Sequence, residues 1–268
     1  MLIFGLGGYS MGIVVICPMG TSPPIATEFI NYLSSRGEFI DAVVLIGTSE
    51  PQVIRSVYFT EAAIKTRYTK MRIYKRFFDR MDIVGTSDVK RYLRMVVDIL
   101  LNRKWVNREI YVNIAGGRKT MVYLTSIAVS ILGTPRVFHV VAEEVKSFSE
   151  EVERNRWLID TIGKIGSLRD RVKAYLERRE VLDTMMYPPM ESYKVIELPV
   201  VPLTKAYIMG LREVLEANRY MLDMAPAITW TLEDLGFIRV QRKKDYVYIS
   251  RTVKGDKLLN ILRGEKNQ

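Results

Sequence analysis

The sequence predicts a doubly wound α/β fold, a mainly parallel sheet of Rossmann-like topology, followed by a small winged helix-turn-helix domain. Three observations carry this reading. Short apolar runs such as Gly12–Cys17 and Asp41–Gly47 suit strands covered on both faces. Helix-length stretches separate them in a βα rhythm that continues to Ala142. After Pro202 the pattern changes to helices followed by a basic hairpin.

Gly12–Cys17 is the first strand, and Pro18 to Ser22 a loop. Pro23 and Pro24 mark the start of a helix that runs over Ile25–Ser35 and closes at Gly37. Asp41–Gly47 is the second strand and Gln52–Arg67 the second helix. Met71–Phe77 is a strand, and Ser87–Asn102 a helix with Ser87 as its N-cap. Glu109–Ala115 is a strand rich in β-branched residues. Thr120–Leu132 is an apolar helix ended by Gly133, and Arg136–Ala142 a further strand. Residues 144–186 are charged and helical in character, with weak points at Gly163 and Gly166. A Pro188-Pro189 break precedes a strand-like Tyr193–Val201. Leu203–Ala217 and 227–235 read as helices, Gly236–Val240 and Tyr246–Ser250 as a hairpin, and Val253–Leu262 as a closing helix. The domain boundaries that follow are 1–11 as a leader, 12–143 as the α/β domain, 144–202 as a helical connector with the last strand, and 203–268 as the winged helix.

Lys and Arg number 40 against 30 Asp and Glu, giving +10 and a partner that is polyanionic. The charge is uneven: residues 1–143 carry +7, 144–235 carry −3 and 236–268 carry +6. Cys17 is the single cysteine, so no intrachain disulfide forms and a reducing, cytoplasmic setting is expected. No apolar stretch reaches the roughly 18–20 residues that span a bilayer. Met1–Gly8 lacks the basic start and cleavage site of a signal peptide.

Three strand ends carry small, polar, Gly-containing loops: Gly20-Thr21-Ser22-Pro23-Pro24, Gly47-Thr48-Ser49-Glu50-Pro51 and Gly116-Gly117-Arg118-Lys119. In open parallel sheets ligands bind beyond such ends. Glycines let backbone approach a ligand, and each following helix start offers unpaired N–H groups to an anion. Arg118 and Lys119 add two cations at one spot. Taken singly, each loop is equally well a helix cap or a plain strand-to-helix turn. Together they read as one phosphate-binding site.

The chain lacks G-x-G-x-x-G after its first strand and lacks G-x-x-x-x-G-K-[S/T], so no nicotinamide cofactor or Walker-type nucleotide is expected. One histidine and one cysteine do not make a structural zinc site. His139, inside the apolar strand Val137–Val141, reads as a core histidine and not as the base of a catalytic triad. The Asp79–Asp82 loop has two readings, a wall of the site or a solvated loop, and the solvated one is preferred. No cofactor or metal is therefore assigned.

The Gly-Thr-Ser-Pro-Pro24 start together with Ala115-Gly-Gly-Arg-Lys-Thr-Met121 resembles the CRISPR-associated Rossmann fold family over about residues 12–143. The resemblance implies a homodimer whose two sheets form a two-fold site for a cyclic oligoadenylate messenger, here cyclic tetra-adenylate. An Arg four to six residues before His139 is missing, which removes the HEPN ribonuclease output. Three outputs stay open: a ring nuclease, a transcription regulator and a non-catalytic sensor. The ring-nuclease reading, implied by the resemblance, places Ser22, Arg118 and Lys119 around the scissile phosphate. It adds one lysine from beyond the core sheet, drawn from Lys164, Lys173, Lys194 and Lys205, with Lys194 preferred. The reaction it implies needs no metal. A DNA-binding wing would use Arg242, Lys243 and Lys244 with Arg239, Arg251 and Lys254, but the stretch 225–235 has no Arg, Lys, Asn or Gln with which to read bases. DNA is a possible but unsupported partner.

Overall fold

The computed structural model describes residues 12–132, 135–143, 145–200, 205–217, 220–221, 229, 232–233, 236–243, 246–256 and 259. Residues 1–11, read as a leader, lie outside them. The chain forms two compact units, Met1–Val201 and Pro202–Gln268.

In the first unit β1 (Ile13–Pro18) sits between β2 (Ile40–Thr48) and β4 (Glu109–Asn113), with β3 (Arg72–Phe78) outside β2. β5 (Arg136–Ala142) and β6 (Tyr193–Leu198) continue on the other side, giving the order β3-β2-β1-β4-β5-β6. The first five run parallel, and β6 is antiparallel to β5. The apolar runs found in the sequence are the central strands: all six residues of β1 are buried. Each fully buried Val or Ile contributes about 1.5–3 kcal/mol of transfer free energy, so three neighbouring strands of this kind fix the sheet.

Side chains alternate across the sheet. Val15, Cys17, Val43 and Leu45 pack under α1 (Pro24–Ser35) and α2 (Pro51–Arg67). Val14, Ile16, Val44 and Val112 pack under α3 (Thr86–Leu100) and α4 (Lys119–Leu132). The N-cap of α3 is Gly85, not Ser87, which lies inside the first turn. Asp88 explains the shift: its buried carboxylate accepts the Val84 N–H at 3.3 Å, closing the helix start from within.

The charged stretch after β5 folds into α5 (Val145–Arg154), α6 (Arg156–Lys164), α7 (Leu168–Leu176) and α8 (Arg179–Met186). These form a further layer over α2, joined to Phe59 and Ala63 through Leu158, Ile159, Tyr175 and Leu182. The weak point expected at Gly163 and Gly166 is the gap between α6 and α7; Gly163 itself lies in the last turn of α6, where a Cβ would overlap the Arg55 carbonyl of α2. Buried Glu61 of α2 accepts from Arg171 of α7 at 2.8 Å and from Lys75 of β3, tying sheet, α2 and outer layer together.

In the second unit, β7 (Tyr220–Met221), β9 (Tyr246–Arg251) and β8 (Ile238–Lys243) form a small antiparallel sheet beside α9 (Lys205–Ala217). Val214, Leu215, Ile238, Val247 and Ile249 are its core. The β8–β9 hairpin is the one expected. β7 was not foreseen, because two residues carry no alternation to read. The helices expected over 227–235 and 253–262, and the Lys244-Asp245 tip, fall largely or wholly outside the described residues. Arg242 is paired with Glu233 at 2.6 Å and Arg251 with Asp256 at 2.7 Å.

Candidate functional site

The loops after β1, β2 and β4 lie at the C-terminal edge of adjacent central strands. They enclose a cavity of about 390 Å³ lined by Gly20, Thr21, Ser22, Glu50, Gly116, Gly117 and Arg118, with Ile25 and Val53 as apolar wall. Of the sequence-expected residues, those seven come together. Gly47 and Thr48 do not: they are the buried last residues of β2, and a Cβ on Gly47 would meet Phe77 and Val53 at 3.1 Å. Ser49 donates its backbone N–H to Arg80 at 3.0 Å, tying the second loop to the one after β3. Lys119 is exposed in the first turn of α4 and is not part of the wall.

Helix α1 takes Pro23 as N-cap with no side-chain cap, which removes the plain capping role for Ser22. The hydroxyls of Thr21 and Ser22 have no hydrogen-bond partner among the described residues. The Thr21 carbonyl is held by Arg156 of α6 at 2.6 Å, whose other nitrogen donates to Glu153 at 2.7 Å. Arg156 was missed in the sequence, because one Arg in a charged helical stretch carries no signal of a partner 135 residues away.

The Gly-Gly pair is shaped first by the protein's own backbone. A Cβ on Gly116 would overlap the Pro18 carbonyl, and Gly117 adopts φ +87, open to glycine and costly to other residues. The turn thus lies directly on the end of β1. Asn113 stitches it in place: buried at the end of β4, it donates to the Ile25 carbonyl at 3.0 Å and accepts the Ala115 N–H at 3.0 Å. A lone amide ending an apolar strand was a legible signal. Cys17 lies beside it, its thiol pushed up to about 12 by burial, so it is no nucleophile at neutral pH.

Arg118 does not stand as a free cation. It donates to Glu50 at 2.6 Å and pairs with Asp82 at 3.0 Å, so carboxylates from two other loops hold its guanidinium. The Asp79–Asp82 loop therefore reaches the site, the less favoured of its two sequence readings. The three charges leave one negative in excess. The N–H groups of the first turn of α4 add a partial positive charge without a counter-ion. Val122 donates to the Arg118 carbonyl at 3.0 Å, which sets Arg118 as the cap of that helix.

Lys194 stands on edge strand β6 opposite Val141, exposed and paired with Glu143 at 2.8 Å. It lies at the same sheet edge as the loops but outside the cavity wall. Lys164 is exposed at the end of α6, Lys173 lies in α7, and the side chain of Lys205 is outside the described residues. His139 is half-buried in β5 opposite Ile196.

Residues 22–220 match the profile of a family described as CRISPR-associated protein NE0113. The chain is 24% identical over 163 residues to the CRISPR system ring nuclease SSO2081 of Saccharolobus solfataricus, covering 59% of this chain and 88% of that one. Among solved structures it resembles Enterococcus italicus Csm6 bound to cyclic hexa-2′-fluoro-hexa-dAMP, with a TM-score of 0.50 at 14% identity, over 94% of this chain and 54% of that one. Can2 from Sulfobacillus thermosulfidooxidans, in complex with cyclic tetra-adenylate, aligns with a TM-score of 0.35 at 13% identity, over 95% of this chain and 63% of that one. The chain thus spans about half the length of the first structure and under two thirds of the second, and the likeness to Csm6 is one of fold.

Proposed function

This chain belongs to the family of CRISPR-associated protein NE0113, and from that premise we propose that it binds and cleaves a cyclic oligoadenylate, with cyclic tetra-adenylate as the substrate. The family match and the ring-nuclease relative agree with the resemblance to the CRISPR-associated Rossmann fold read from the sequence. The observation that carries the proposal is the convergence of Ser22, Arg118 and the Gly-Gly turn on one cavity at the C-terminal edge of the sheet.

In the proposed reaction a ribose 2′-oxygen bonds to the adjacent phosphorus while the bond from phosphorus to the 5′-oxygen breaks. The 2′-hydroxyl loses its proton, the 5′-oxygen gains one, and no water is consumed. The product is linear and ends in a 2′,3′-cyclic phosphate. Ser22, whose hydroxyl is uncommitted, orients the 2′-hydroxyl or the phosphate. Arg118 and Lys119, with the α4 N-terminus, hold the charge that grows on the phosphorane; one such donor supplies about 3 kcal/mol. Bending the ring into line for attack is the second contribution. Lys194 is the proposed cation from beyond the core strands and acts after exchanging Glu143 for substrate.

A cavity of about 390 Å³ is scaled to one modest ligand and not to a ring of four nucleotides. A homodimer that doubles the cavity about a two-fold axis fits the ring better, and we propose that state. The C-terminal unit, proposed to be a winged helix, has Arg242 and Arg251 already paired with carboxylates, which argues against DNA as its target.

The test is incubation of the protein with cyclic tetra-adenylate in excess EDTA, with products resolved by liquid chromatography. Linear products with a 2′,3′-cyclic phosphate, lost in Ser22→Ala and Lys119→Ala, support the enzyme. Tight binding with the ring intact after prolonged incubation supports the sensor instead.

A further inference from the structure

A second cavity lies away from the loops. It is a cleft of about 430 Å³ beside edge strand β3, lined by Arg76 and, from one face of α3, by Arg91, Arg94, Met95, Asp98 and Ile99. We propose that this cleft is a docking site for an extended acidic peptide, which adds to β3 as a further strand of the sheet.

Strand β3 ends the sheet, and no described element pairs with its outer edge. A strand in that position presents a row of free backbone N–H and C=O groups, the template for strand addition. Alternation sets which side chains meet the newcomer. Tyr74 and Phe78 pack in the α3 layer while Ile73 and Phe77 pack in the opposite one, so Arg76 shares the α3 face. A chain laid along β3 places every second side chain into the same cleft.

The charges of the cleft divide into committed and free. Arg91 is engaged by Asp79 and, at 3.9 Å, by Asp88, and lies over the Phe78 ring at 5.6 Å. Arg76 and Arg94 have no ion-pair partner among the described residues. Two unpaired guanidiniums with Met95 and buried Ile99 between them match acidic side chains flanking an apolar one.

Two details favour a peptide over a nucleic acid. Asp98 faces the cleft and opposes an unbroken line of phosphates. On the same face of β3, Tyr74 is covered by Trp105 at 5.4 Å and Lys104 at 5.2 Å and the Phe78 ring by Arg91 at 5.6 Å, so neither is open for base stacking. Charge on an edge strand also serves simply to repel other strands. A guard of that kind needs no recessed apolar floor, and β3 has one.

The full-length protein is titrated into a fluorescein-labelled peptide with Glu at alternate positions around a central Leu. Anisotropy is read at low salt against a scrambled peptide of the same composition, a backbone N-methylated copy and single-stranded oligoadenylate. The expected result is binding of the alternating peptide alone, weakened about tenfold or more by Arg76→Glu with Arg94→Glu. Amide exchange across β3 slows on binding, and a thermal melt confirms that the variant is folded. Failure to bind, equal binding of scrambled or N-methylated peptide, or tighter binding of oligoadenylate through the same arginines each overturns the proposal.

Discussion

Arg118 donates to Glu50 at 2.6 Å across 68 residues of chain, and this contact sets the electrostatic state of the site. With Asp82 on the guanidinium's other side at 3.0 Å, an incoming phosphate competes with two carboxylates for one cation. Binding is then an exchange of partners, and its cost is set by the two carboxylates that already hold Arg118.

Asp82→Asn removes one competitor while preserving shape. A partly exposed ion pair is worth up to about 1 kcal/mol, so cyclic tetra-adenylate is expected to bind about fivefold tighter at low salt. Isothermal titration across a salt series checks this. Unchanged or weaker binding shows instead that Asp82 aims the guanidinium.

Arg156 is a positioning residue for the first loop through the Thr21 carbonyl. A hydrogen bond from a charged donor is worth about 1.5–3 kcal/mol. Arg156→Met, which keeps the apolar stem, should lower kcat for cyclic tetra-adenylate about tenfold with a smaller effect on KM. Arg156→Lys should recover part of the loss. A fall in Tm without a change in kcat would assign Arg156 to stability alone.

Gly116→Ala drives a methyl group into the Pro18 carbonyl. Overpacking of this kind costs about 1–3 kcal/mol, read as a lower denaturant midpoint at unchanged slope. Gly37→Ala is the control, since a Cβ there meets nothing within 4 Å and only its φ of +77 is unfavourable. Equal effects at both positions would place the cost in backbone strain and not in the β1 contact.

Glu28 of α1 is 2% exposed, and burial pushes its carboxyl up to about 7. The folded protein therefore holds this proton at pH values where the unfolded chain, near the ordinary 4.5, has lost it. Stability from Glu28 is full below pH 4.5 and is lost as pH rises to about 7, by about 3 kcal/mol in all. Melts from pH 5 to 8 should show this decline, and Glu28→Gln should flatten it. A wild-type profile as flat as that of the variant would remove Glu28 as its source.

The central sheet was legible because β1, β2 and β4 are buried on both faces and so are written as continuous apolar runs. The three loops were legible because glycine, hydroxyl and proline cluster at strand ends. What escaped depended on pairing at a distance. The sequence marks Arg118 and Lys119 as a basic pair, yet the carboxylates that neutralise Arg118 come from other βα units. Gly163 and Gly166 marked the gap between α6 and α7, yet the packing of Gly163 against α2 stayed hidden, because a glycine used for close packing and one near a helix end have the same letter. The antiparallel direction of β6 was equally hidden, since an edge strand alternates alike whichever way it runs.

Helix α2 is covered on both flanks, by the sheet on one side and by α5 to α8 on the other. An ordinary surface helix of an α/β domain can slide on its sheet with solvent yielding behind it. Here solvent has been replaced by packed side chains and a buried ion pair, so a shift of Glu50 at the head of α2 displaces two interfaces at once. The second loop is in effect clamped from behind. The first loop is held from the same side by Arg156 of α6, so the helical connector is the mechanical ground for two of the three loops.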